Sequence, residues 1–338
     1  MTAARHLEKY GPGLQTVALH TSCEPAVLLE LMRTGVREFL YPPFSTPALR
    51  EALARVREIA ERMPPPVEST DLVFTFLPSK PGVGTSTVAL NVSAAMATVQ
   101  DGRVLIADFD LNSGLIGFML KLDSPYSLVH AAESSANLDE SLWRQVVSSF
   151  GRLDVLTSGK LNPGFRIEPV QSRALMDFAR RHYKAICVDL SGNMEKYSID
   201  LMHESKRIFL VCTQELPSLH LAREKLSYLR TLELEERVSL VLNRTHKRAI
   251  IGPEEVEELL GHSVNLIFPN DYAGAHHALA AGKCVDPSTE LGRHFRNMAE
   301  GILVKRQIGT ESKNRFVEYF SLLPARYSLS HAAKKSGD

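Results

Sequence analysis

The sequence predicts an α/β fold, a mostly parallel sheet covered by helices on both faces, preceded by a smaller and partial α/β fragment. Three observations carry this expectation. First, seven short apolar runs (Leu72–Leu77, Arg103–Asp108, Leu153–Ser158, Ala185–Leu190, Arg207–Thr213, Val238–Asn243 and Val264–Phe268) alternate with segments of helical period. The runs are continuous rather than alternating, as strands buried on both faces are. Second, a glycine-rich stretch, Ser79-Lys-Pro-Gly-Val-Gly-Thr-Ser-Thr87, joins the first run to a helical segment carrying Val88, Ala89, Val92, Ala95, Met96 and Val99. Third, Pro64-Pro65-Pro66 interrupts the chain ahead of that body, because three prolines cannot continue a helix and favour an extended spacer. The predicted organisation is a fragment over 1–63, a linker over 64–70, a body over 71–304 and a tail over 305–338.

The 338 residues are 44% hydrophobic and 23% charged, an ordinary globular composition with room for two domains. Formal net charge is zero, so the overall balance gives no strong nucleic-acid signal. The first ten residues lack an apolar core, and no apolar stretch reaches the roughly 20 residues of a membrane helix. A cytoplasmic protein is expected. Cys23, Cys187, Cys212 and Cys284 show neither metal nor redox spacing, and the two in strand-like runs read as small buried hydrophobes. His276-His277 has no ligand partner at suitable spacing and reads as helix surface.

In the fragment, Leu14 to His20 reads as a strand, and Glu24-Pro25 opens a helix through Met32 that Gly35 stops. Val36 to Leu40 reads as a second strand, and Ser45 caps a helix to about Met63. The stretch Met32 to Phe44 resembles the final third of a response-regulator receiver domain. The part that holds that family's phosphorylated aspartate has no counterpart here, and Pro42 stands at its lysine, so the resemblance implies no phosphoacceptor chemistry. So small a fragment either docks on the body or a partner, or continues sequence that precedes Met1.

Strand, glycine loop, then helix is the setting in which backbone N–H groups and a helix N-terminus hold phosphate. The usual loop ends Gly-Lys-Ser/Thr; here it ends Gly84-Thr85-Ser86, so one cation is missing. Further along, aspartates fall at strand ends: Asp108 and Asp110 after the second run, and Asp189 after the fourth. A magnesium–triphosphate needs oxygen ligands and a residue to orient water, which Ser86, Asp108, Asp110 and Asp189 could supply. Ligands of such sheets bind beyond the carboxyl ends of the strands, where these residues lie.

These pieces together resemble the MinD/ParA family of deviant P-loop ATPases, over nearly the whole body. The resemblance implies binding of ATP or ADP with Mg2+ along Lys80, Pro81, Gly82, Val83, Gly84, Thr85, Ser86 and Thr87. It implies metal ligation by Ser86, Asp108 and Asp189, and orientation of the attacking water by Asp110. Lys80 matches the signature lysine that reaches a partner's nucleotide across a dimer, so a homodimer on ATP binding is implied. Asn243 matches a residue that reads adenine, and Pro269, in Phe268-Pro-Asn-Asp271, matches a turn near the base. A receiver-like region ahead of such an ATPase is the arrangement of the CpaE/TadZ family, whose members help localise Flp-type pilus assembly at a cell pole. That implies pilus or secretion-assembly partners and a polar site beside the inner membrane.

Two departures bear on hydrolysis. Thr85 stands where the loop lysine belongs, and Pro81 replaces a glycine and deletes an N–H. Losing a charge-assisted contact costs about 1.5–3 kcal/mol, and the transition state gathers more charge than the ground state, so hydrolysis suffers more than binding. Weak or absent turnover is expected. An active ParA-like ATPase in DNA partitioning or pole positioning remains the alternative, and a bacterial tyrosine kinase relative a remote one, since Tyr319 and Tyr327 form no cluster. In the tail, Phe316, Tyr319, Phe320 and Leu323 fall at helical spacing and suggest a short amphipathic helix that meets a membrane, a partner or the body itself.

Overall fold

The computed structural model describes residues 17–19, 36, 38–62, 69–162, 164–246 and 248–304. The helix expected over 24–32 and the amphipathic segment at 316–323 lie outside the described residues. The chain divides into two units that part between Ser69 and Thr70.

In the first unit, β1 (Val17–Leu19) and β2 (Glu38–Leu40) pair in parallel, Val17 opposite Glu38, and α1 (Thr46–Arg62) follows. Ser45 Oγ accepts from the Ala48 N–H at 3.3 Å, the N-cap that its position predicted. Arg55 of α1 donates from Nε to Glu38 of β2 at 2.9 Å, tying the helix to its strand.

The second unit runs β3 (Val73–Pro78), α2 (Thr85–Val99), β4 (Val104–Asp108), α3 (Ile116–Met119), α4 (Leu128–Glu133), α5 (Glu140–Val146), β5 (Ser148–Phe150), β6 (Leu153–Leu156), α6 (Pro169–His182), β7 (Ala185–Asp189), α7 (Lys196–Glu204), β8 (Arg207–Cys212), α8 (Leu216–Thr231), β9 (Val238–Thr245), α9 (Pro253–Leu260), β10 (Val264–Pro269), α10 (Tyr272–Ala281) and α11 (Glu290–Val304). All seven apolar runs are strands. They assemble, with β5, into an eight-stranded sheet in the order β10-β9-β8-β3-β7-β4-β6-β5. Every neighbour pair is parallel except β5 with β6, which the sequence did not predict because Ser148-Ser149-Phe150 is short and mostly polar. Thr70, expected in the linker, is bound to the second unit: its N–H donates to Arg180 O at 2.9 Å and its hydroxyl to Lys184 O at 2.7 Å.

Two apolar layers sandwich the sheet, and β4 shows why its run had to be continuous. Leu105 and Ala107 face one layer, with Leu175 of α6, Leu201 of α7 and Leu226 of α8. Val104 and Ile106 face the other, with Met96 of α2 and Phe295 and Met298 of α11. A strand covered on both sides cannot alternate polar and apolar residues. Cys187 and Cys212 are fully buried within strands, and His276 and His277 are exposed on α10, as their surroundings in the sequence implied. The central strand β3 lies between β7 and β8, so the glycine loop leaves the sheet at its middle with the ends of β7 and β4 beside it. None of the described helices is long and apolar enough to cross a membrane.

Candidate functional site

β3 ends at Pro78, and the chain turns through Ser79–Gly84 before α2 begins at Thr85. The turn needs left-handed backbone at two glycines, φ +85° at Gly82 and +89° at Gly84. At Gly84 a side chain is also refused by space, since a Cβ would stand 2.6 Å from Asn243 Nδ2. That amide donates to the Val83 carbonyl at 2.8 Å, so Asn243, buried near the end of β9, props the loop from behind. Gly84 offers α2 no side-chain cap, which leaves first-turn N–H groups for an anion.

The acidic part of the site is set by strand register. Asp108 and Asp189 are partners at the ends of β4 and β7, and both are almost completely buried. Asp108 accepts from the Asp110 N–H at 3.2 Å and the Ile116 N–H at 3.1 Å. Neither Asp189 oxygen has a hydrogen-bond partner, and the buried Thr85 hydroxyl is likewise unpartnered. Burial lifts both carboxyls well above the usual range; at Asp189 the neighbouring Asp108 charge adds to it and Ser86 opposes it. Two buried oxygens without a donor are a costly arrangement that a cation would relieve.

Register sets Asp108 beside Asp189, and the Ser86 hydroxyl lies close to Asp189, so the three residues proposed from the sequence as metal ligands are neighbours. No group of three or more His, Cys, Asp or Glu side chains gathers among the described residues, so the protein offers no closed cage. Two carboxylates and a hydroxyl suit Mg2+, which keeps several waters and takes one or two protein carboxylates. Asp110 is half-buried, and its Oδ1 accepts from the N–H groups of Asn112 at 3.1 Å and Ser113 at 2.9 Å, shaping the turn that follows β4. Pro269 pairs with Thr245 at the end of β10, separated from β3 by two strands, β9 and β8. Lys80 lies 3.2 Å from Glu215, a partly exposed ion pair of the kind worth about 0.2–1 kcal/mol, too weak to fix the lysine permanently.

The helix α8 braces the base of the loop. Glu215 at the N-cap of α8 holds Lys80, Ser218 shares a hydrogen bond with the Ser79 hydroxyl at 2.9 Å, and Lys225 donates to the Pro78 carbonyl at 2.7 Å. Lys225 also donates to the Gly192 carbonyl at 2.9 Å, in the segment after Asp189. Burial brings its pKa down to about 8, with the Glu195 carboxylate opposing. The only sequence signal for Lys225 was its place beside the buried stripe Leu219, Ala222, Leu226 and Leu229 of an amphipathic helix.

Against known proteins, the solved ParA family ATPase of Chlorobium tepidum superposes with a TM-score of 0.63 at 24% identity, over 68% of this chain and 99% of that one. The fold is that of the MinD/ParA-type P-loop ATPases. The septum site-determining protein MinD of Thermotoga maritima is 20% identical over 272 residues, covering 74% of this chain and 98% of the relative. The MinD of Pyrococcus horikoshii, solved as a complex with Mg-ADP, matches with a TM-score of 0.58 at 18% identity, over 71% of this chain and 99% of that one. No family model matches the chain. The glycine loop, Asp108 and Asp189 lie at the end of the sheet where folds of this kind bind ligands.

Proposed function

We propose that this chain binds ATP or ADP with Mg2+ and works as a nucleotide-gated localisation or scaffold protein of the CpaE/TadZ kind. The observation that carries the reading is the pair of unpartnered Asp189 oxygens beside an uncapped helix N-terminus. The first asks for a cation and the second for an anion, and a magnesium nucleotide supplies both at once. The N–H groups from Gly82 to Thr87 would hold the phosphates, and Ser86, Asp108 and Asp189 the metal. Bound there, Mg2+ would neutralise charge on the terminal phosphates.

Hydrolysis is the part of the family chemistry that these residues serve poorly. Thr85 puts a neutral hydroxyl at the step where charge builds up, and Pro81 donates nothing. Retained binding with slow turnover suits a protein whose bound nucleotide sets a state, with Lys80 available to a second copy in a homodimer. The finer role, helping to place Flp-type pilus assembly at a cell pole next to the inner membrane, rests on the receiver-like stretch ahead of the ATPase-like unit.

Titration of ATP with and without Mg2+ tests the reading. Saturable binding that strengthens with the metal supports it, and no binding at millimolar nucleotide leaves a protein that shares only the fold.

A further inference from the structure

We propose that Lys225 is a positioning residue that clasps the glycine loop to the Asp189–Gly192 segment and lends the site the positive charge its loop lacks at Thr85. The inference rests on the nucleotide reading for its ligand, but its geometry stands independently.

The side chain leaves the middle of α8 and spans two loops that are distant in sequence. Its ammonium donates to Pro78 O, the last residue of β3 before the loop, and to Gly192 O, three residues past the unpartnered carboxylate. A Cβ on Gly192 would stand 3.2 Å from Nζ, a tight fit against the lysine's flexible end. An ammonium has three donors. Two are engaged by these carbonyls, and the third meets no acceptor among the described residues. Glu195, the nearby carboxylate, accepts instead from Ser191 Oγ at 2.7 Å and Ser198 Oγ at 3.2 Å. Among the described residues Lys225 therefore forms no direct ion pair, and the Glu195 charge acts on it from a distance.

A half-buried cation held by two carbonyls is not the cheapest way to fill that space. An arginine–carboxylate pair or a leucine would satisfy packing without an unused donor. The ammonium instead fixes the spacing between the two segments that an Mg2+-bound phosphate must touch together. It also holds a positive charge, with one N–H not engaged by these carbonyls, between the base of the loop and the segment after Asp189. A triphosphate, which carries one more phosphate than ADP towards the Asp189 side, should feel that charge most.

The test compares wild-type protein with Lys225→Met and Lys225→Arg, reading Kd for Mg-ATP and Mg-ADP, amide hydrogen exchange over 190–195 without nucleotide, and the melting temperature. The inference expects Lys225→Met to weaken ATP by about tenfold or more while ADP changes by less than about threefold, the loss of one charge-assisted contact. Exchange over 190–195 should accelerate, and Lys225→Arg should restore both. Equal weakening of both nucleotides, or unchanged exchange, overturns it. If wild-type protein binds no nucleotide, the functional reading has failed and the exchange comparison alone decides the clasp. Should Lys225→Met not fold, Lys225→Gln, which keeps a donor and loses the charge, takes its place in the same measurements.

Discussion

Asp108 and Asp189 stand side by side as register partners on two adjacent parallel strands, both shut away from water, and neither Asp189 oxygen makes a well-formed hydrogen bond, with the Ser86 hydroxyl the one side chain that favours its charged form. The arrangement is strained electrostatically because each carboxylate raises the cost of ionising the other.

Relieving that strain should be measurable. Asp189→Asn removes one of the two buried acids, so the protein without ligand is expected to melt higher by a few degrees, about 2–4 °C for each kcal/mol gained in a unit of this size. The same variant should lose the Mg2+-dependent part of nucleotide binding. Differential scanning calorimetry with and without Mg2+ checks both; a lower melting point would mean the carboxylate has a favourable partner in solution.

Thr85→Lys should raise phosphate release if the rest of the site is competent. Restoring one charge-assisted contact is worth about 1.5–3 kcal/mol, a gain of roughly ten- to 150-fold. Multiple-turnover phosphate release is the measurement. An unchanged rate would place the defect at Pro81 or in the carboxylates instead.

Gly84→Ala is expected to disable the loop while leaving the sheet intact. The new methyl must enter backbone at φ +89° and approach Asn243 Nδ2 to 2.6 Å, which would break the prop under Val83. A destabilisation of about 1–3 kcal/mol follows from strain and an orphaned buried carbonyl. Chemical denaturation and nucleotide titration read the two effects separately, and Asn243→Ala should reproduce part of the first without the strain.

The Lys225 ammonium gives a pH signature. Its folded pKa, about 8, lies below the ordinary 10.5, so between those values the unfolded chain binds more protons than the folded one. Stability therefore rises with pH across that window. Urea denaturation at pH 7.5 and 10 should show the rise in wild-type protein and a flatter profile in Lys225→Met, after allowance for the other groups that titrate there.

Much of this architecture was legible in the chain itself. The seven parallel strands could be found because a strand buried on both faces has to be apolar throughout, as Val104-Leu-Ile-Ala107 is. Gly82 and Gly84 marked the loop because only glycine adopts its backbone cheaply. The aspartates stood out because Asp108, Asp110 and Asp189 fall at strand ends in order after a glycine loop, where one alone would have meant little. What stayed hidden depends on contacts across the sequence. Lys225 meets Pro78 and Gly192 from 147 and 33 residues away, and no local pattern reports that. β5 escaped because three residues with two serines carry no periodic signal. Arg103, a bland strand-start cation in the sequence, donates from Nε to Asp154 at 2.8 Å, and Tyr183 donates its phenol to the same carboxylate at 2.8 Å, a polar knot that only folding assembles.

The reversed strand Ser148–Phe150 has an effect out of proportion to its size. By lying against Leu153–Leu156 in the opposite sense, it uses up the outward-facing main-chain groups of the last long ribbon and offers only three residues in their place. So brief a border is a poor template for another chain, and it guards this flank against runaway stacking at high concentration.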